Sequence, residues 1–138
     1  MKTMTATFSD AVVLEAATTL AQSIQASAEW RELVRAQKAA EADGRFARMV
    51  ARQSELGRIQ NSARGRGQGL DGKSLVEFIA LQDQIQHHEL YVHQQEAGSA
   101  VLRLLQRVNE EISQELGLDF ASNAAPAGVG AAGELNIR

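Results

Sequence analysis

The sequence predicts an all-α protein: an antiparallel bundle of about five helices with a long helical hairpin and a disordered C-terminal tail. Three observations carry that expectation. The single proline is Pro126, so the 125 residues before it are open to long helices. Apolar residues recur at intervals of three and four in successive segments, which places them on one helix face. Glycine gathers between Gly65 and Gly72 and again from Gly117 onward, where it interrupts the helical pattern.

The first helical segment runs from about Asp10 to Ser27. Ser9 or Asp10 is its candidate N-cap, and Val13, Ala17, Leu20 and Ile24 form its apolar stripe. A shorter segment follows over Glu29 to Glu41 with Trp30, Leu33, Val34 and Ala36. Asp43 caps a third helix, roughly Gly44 to Ala63, whose inner edge holds Phe46, Met49, Val50, Leu56 and Ile59. Arg64 to Gly72 has four glycines and reads as a loop, because that much backbone freedom opposes any helix. Ser74 and Glu77 have the spacing of a capping box opening a fourth helix with Leu75, Phe78, Ile79, Leu81 and Ile85. After a pause near His87 to Tyr91, the last helix spans about Val92 to Leu116. Its stripe is Ala97, Val101, Leu104, Val108, Ile112 and Leu116, with Gly117 as C-cap. The third and fifth helices are expected to form the hairpin that folds back on the first.

The expected organisation is therefore a flexible stretch 1–8, a helical domain 9–118 and an Ala/Gly-rich disordered tail 119–138. Leu135 and Ile137 give that tail a minor resemblance to a docking peptide. The aromatic fraction is only 4%, so the core is aliphatic and alanine-rich, which suits close helix contact better than a walled ligand pocket. Thin apolar faces of this kind favour completion of the core by self-association. The face Ala97, Val101, Leu104, Val108, Ile112 is the candidate oligomer or packing face.

Several function classes are disfavoured. There is no cysteine, so disulfides, thiolate metal sites and cysteine nucleophiles are excluded, in keeping with a reducing, cytoplasmic setting. The N-terminus lacks a signal-peptide pattern, and no apolar run approaches the roughly 20 residues of a membrane span. His87, His88 and His93 stand one, five and six apart, without the i, i+4 pairing a helical metal site uses. They read as a polar helix junction. The carboxylates lie scattered on polar faces, with no convergent acid–base set and no Glu-x-x-His pair. The Gly67–Gly72 run follows a helix, not a strand, and so fails as a nucleotide loop. No catalytic residue, metal, cofactor or small-molecule substrate is expected.

Charge is unevenly placed. From Arg45 to Lys73 seven cations face two anions, a net +5 that leaves −8 for the rest of a chain whose total is −3. Arg45, Arg48 and Arg52 share a helix face, and Arg64 and Arg66 lie in the glycine loop. These five are the candidate contacts for an acidic protein partner or, as the alternative, for an RNA backbone.

The order of elements resembles the YlbF/YmcA family of small helical bacterial regulators over about residues 10–116. The matching positions are Ala16, Leu20-Ala21, Ile24 and Ser27, then Ala36, Asp43, Met49, Gln53, Leu56 and Ile59-Gln60. A glycine-containing turn at Gly69 to Lys73 follows, then Tyr91, Ala97, Leu104-Leu105, Val108-Asn109 and Ile112. The resemblance implies a non-enzymatic regulator or adaptor that self-associates or pairs with a related protein. It also implies a part in a complex that modulates RNase Y, an RNA-cleaving endonuclease, in developmental regulation. Relatives can carry cluster-ligating cysteines; this chain has none, so no cluster is carried over.

Overall fold

A computed structural model describes residues 8–125, and within them the chain is helical with no strand. Six helices follow in order: α1 (Phe8–Gln25), α2 (Ala28–Ala42), α3 (Gly44–Arg64), α4 (Gly72–Gln86), α5 (Glu89–Leu116) and α6 (Phe120–Ala124). The all-α expectation holds. The chain divides into two compact units, with the boundary inside α5 between Ala97 and Gly98.

In the first unit α1 meets α2 only slightly, α2 packs on α3, and α3 packs most extensively on α4. The hairpin is therefore α3 with α4, not the third helix with the fifth. Its helices run antiparallel: Phe46, early in α3, clusters with Ile85, late in α4, whereas further along α3 Arg52 bonds Glu77 and Gly57 lies against Phe78, both nearer the start of α4. A seven-residue connection, residues 65–71, suits such antiparallel neighbours. The core is small. Ala40, Phe46 and Ile85 are buried together, and Met49, Leu90 and Tyr91 pack against them. Val50 and Ile59, expected on the inner edge of α3, lie on its exposed flanks.

Short polar side chains set the joints. Ser27 is extended; its hydroxyl donates to Ile24 O at 2.6 Å and accepts from Trp30 N at 3.2 Å, fixing a two-residue corner between α1 and α2. Asp43 alone separates α2 from α3, and its carboxylate accepts from Phe46 N at 2.9 Å. At the end of α3, Gly67 takes φ +70°, and Gln68 N reaches back to Ala63 O at 2.8 Å. Asp71 caps α4, accepting from Ser74 N at 2.7 Å. The expected capping box is thus displaced: Ser74 is already inside the helix, and Glu77 is turned toward Arg52. His88 opens α5, its Nδ1 accepting from Leu90 N at 3.1 Å while its ring lies 4.6 Å from that of Phe46. The pause before α5 is only His87 and His88, and α5 starts three residues earlier than the periodicity suggested. Likewise α1 starts at Phe8 and already includes Ser9 and Asp10, with Asp10 in its first turn.

The second unit holds the rest of α5 and α6. Gly117, at φ +69°, ends α5, and both Gly117 N and Leu118 N donate to Ser113 O. The expected tail began at 119, yet residues 120–124 form α6. Each of its first three amides has a side-chain acceptor: Phe120 N bonds Ser113 Oγ, Ala121 N bonds Asn109 Oδ1 and Ser122 N bonds Asp119 Oδ1. The remainder of the expected tail, with Leu135 and Ile137, lies outside the described residues, as does most of the 1–8 stretch.

Candidate interaction surfaces

α1 is apolar along one side and almost bare. Val13, Ala17, Leu20 and Ile24 line that side, with Leu14 at its margin. Every side chain from Asp10 to Ser23 is exposed, Val13 at 63%, and only Ile24 is half-covered. The opposite side is polar and self-satisfied: the hydroxyls of Thr18, Thr19 and Ser23 donate to the carbonyls of Leu14, Glu15 and Thr19. An isolated helix of this length is marginal in water, and the described residues of this one leave its stripe uncovered.

α4 is apolar on two sides. Phe78, Leu81 and Ile85 face α3 and the core, whereas Leu75, Val76 and Ile79 form an outer patch, with Val76 69% exposed. Leu75 and Ile79, expected in one stripe with Phe78 and Ile85, are exposed. The first half of α4 carries more apolar residues than one buried face needs, with Val76 beside Leu75 and Ile79 on the exposed side.

The candidate basic face is only partly free. Arg52 is held: Nε and Nη2 donate to the two oxygens of Glu77 at 2.7 and 3.0 Å, and Nη1 donates to Glu55 at 3.1 Å. These contacts raise the Arg52 pKa further and hold the Glu77 carboxyl below its ordinary value. Arg52 therefore ties α3 to α4. Arg45, Arg48 and Arg64 are exposed and have no ion pair among the described residues; Arg66, in the loop, has one long bond to Ser62 Oγ at 3.5 Å. The first two lie on α3, and Arg64 ends it.

On α5, Ala97 and Val101 are buried, while Leu104, Val108 and Ile112 are half-buried; Leu102 and Leu105, outside that stripe, are exposed. The histidines do not converge. His87 Nδ1 lies 2.8 Å from Asp83 O, His88 caps α5, and His93 Nε2 donates to Glu32 Oε1 at 2.7 Å. Glu32 also accepts from Arg35 Nε at 3.0 Å; the His93 bond, then the Arg35 bond, hold its carboxyl below the ordinary 4.5. The His93–Glu32 link between α5 and α2 could not be read from sequence, since 61 residues separate the partners. Among the described residues no group of three metal-ligating side chains comes together, and no helix is long and apolar enough to cross a membrane.

The family model described as "Control of competence regulator ComK, YlbF/YmcA" matches residues 13–117, from the stripe of α1 to the C-cap of α5. No curated protein and no solved structure matches the chain.

Proposed function

Because the chain belongs to the YlbF/YmcA family, whose members are regulators, we propose that it is a non-catalytic adaptor acting through protein–protein contacts in the cytoplasm. The observation that carries this reading is the exposed stripe of α1. A chain that spends an 18-residue helix on an uncovered apolar face uses it for association. In this reading the protein self-associates or pairs with a related protein, and the assembly modulates RNase Y-dependent RNA processing. The apolar stripes provide affinity by burial. Arg45, Arg48, Arg64 and Arg66 orient an acidic partner surface, and the Ala97–Ile112 face of α5 serves packing or assembly. No residue is assigned a catalytic, metal-binding or cofactor role.

The test is direct. The purified chain, immobilised, retains purified RNase Y, and a deletion strain shows altered RNase Y-dependent transcript ends. A chain that retains no RNase Y and whose deletion leaves those ends unchanged defeats the reading.

A second reading rests on the exposed arginines: direct contact with an RNA backbone through Arg45, Arg48, Arg64 and Arg66, without Arg52. It predicts affinity for mixed RNA that falls steeply with salt and falls again in the Arg64→Ala/Arg66→Ala variant. Absence of binding in low salt rejects it.

A further inference from the structure

The joint between α4 and α5 is only His87 and His88, and the second holds three backbone groups at once. His88 N donates to Ile85 O at 3.1 Å, its carbonyl accepts from Val92 N at 3.0 Å, and its Nδ1 accepts from Leu90 N at 3.1 Å. The half-buried ring lies 4.6 Å from the Phe46 ring, tilted by 37°. A backbone N–H only donates, so Nδ1 holds this bond only while its lone pair is free. The ring is then neutral, with its hydrogen on Nε2. We propose that His88 is a proton-operated catch: neutral, it caps α5; protonated, it lets go of the first turn, while His93 keeps the following turn on α2. This goes beyond the adaptor reading and does not depend on it.

Protonation of His88 acts on the cap in two ways of the same sign. Nδ1 becomes a donor and meets the Leu90 amide hydrogen against hydrogen. The new positive charge stands at a helix N-terminus, where the peptide dipoles favour anions. The ring itself keeps its place, because the Phe46 ring receives a cation as well as a neutral imidazole. What is released is the backbone turn that carries Leu90 and Tyr91, which pack against the cluster of Ala40, Phe46 and Ile85.

His93, farther along α5, responds in the opposite sense. Its Nε2 donates to Glu32 Oε1 at 2.7 Å, and that bond gains charge assistance when the ring is protonated. Arg35 shares the Glu32 carboxylate, and Glu89 and Glu96 flank His93 on α5. Around His88 the charged groups of the packed elements are Glu41 at the end of α2, Asp43 and Arg45 at the start of α3, Asp83 on α4 and Glu89 on α5. Asp83 is engaged by His87 at 3.3 Å and Asp43 by Phe46 N, and among the described residues none of the five forms an ion pair with His88. The bond to Leu90 is therefore what the protonation state of His88 governs. One change of pH loosens one turn and tightens the next, so the whole fold is little affected and the response stays local.

The test follows the full chain by nuclear magnetic resonance between about pH 8 and pH 5, the range in which an imidazole changes charge. At the upper end the ring-nitrogen shifts of His88 show an unprotonated Nδ1, and the Leu90 amide is protected from exchange. At the lower end Nδ1 carries a proton. The protection factor of Leu90, corrected for the intrinsic pH dependence of exchange, has then fallen about tenfold, while that of Leu56 in α3 is unchanged. A proton on Nδ1 at the upper end overturns the proposal, as does Leu90 protection that ignores pH or a loss shared by Leu56. In His88→Asn, whose side chain caps without titrating, the fall is abolished. If it persists there, or if His87→Asn abolishes it instead, His88 is not the catch. In His93→Gln the loss at the lower pH spreads into residues 92–97, and a loss that stays in the first turn there overturns the role of His93.

Discussion

Arg52 and Glu77, 25 residues apart, are joined by two parallel hydrogen bonds that tie α3 to α4. Both side chains are two-fifths exposed, so water screens the pair and its contribution to stability is modest. Its value is geometric, since a forked guanidinium accepts only one relative placement of the two helices. In a double-mutant cycle of Arg52→Ala and Glu77→Ala, read by urea denaturation, the two single effects do not add. Arg52→Lys loses the coupling despite keeping the charge.

Burial separates positions that the sequence pattern treats alike. Leu56 is 1% exposed, and Leu56→Ala costs about 2–5 kcal/mol in urea denaturation. Val76→Ala, on the outer face of α4, changes the stability of the dilute protein by no more than about 0.5 kcal/mol.

Two glycines are expected to respond in opposite ways. Nothing lies within 4 Å of a Cβ added at Gly117 or Gly69, so space does not distinguish them. Backbone does: Gly117 has φ +69°. Gly117→Ala destabilises by about 1 kcal/mol, whereas Gly69→Ala is neutral or stabilising by up to about 1 kcal/mol through the unfolded chain. Chemical denaturation of the two variants checks both signs.

Acid acts through lowered carboxylates. His93 and Arg35 hold the Glu32 pKa down, Arg52 does so at Glu77, and the Ser74 amide does so at Asp71. A group with a lower pKa folded than unfolded binds fewer protons in the native state. Its contribution is complete above the unfolded values, near 4.5 for Glu and 3.8 for Asp, and fades as pH falls through the folded ones. Urea midpoints therefore hold steady down to about pH 5 and then drop. In Glu32→Gln and Glu77→Gln the drop is shallower.

What was legible in the sequence is what local chemistry decides. Asp43 marked the start of α3 because a short carboxylate before a periodic segment has few other uses. Gly117 marked the end of α5 because the left-handed turn there favours glycine. Helix α6 was not legible: two of its first three amides are capped by Ser113 and Asn109, 7 and 12 residues back, and an Ala-rich five-residue segment carries no stripe. The same limit hid the partners of Glu77. Its spacing to Ser74 fits a local box, but a guanidinium from α3 offers the carboxylate a stronger bond. Arg45, Arg48 and Arg52 share a face on paper, yet among the described residues only the third forms an ion pair across the hairpin. The surfaces of α1 and α4 were visible as apolar residues, while their lack of cover is a property of the folded unit.

Asp43 ends one helix and caps the next with no residue to spare. The joint has no slack to absorb a change in chain length. One inserted residue would turn α3 by about 100° against α2, carrying Phe46 out of the core and its arginines to another bearing. Length drift in this protein is expected to be tolerated in the glycine loop at 65–71 and refused at position 43.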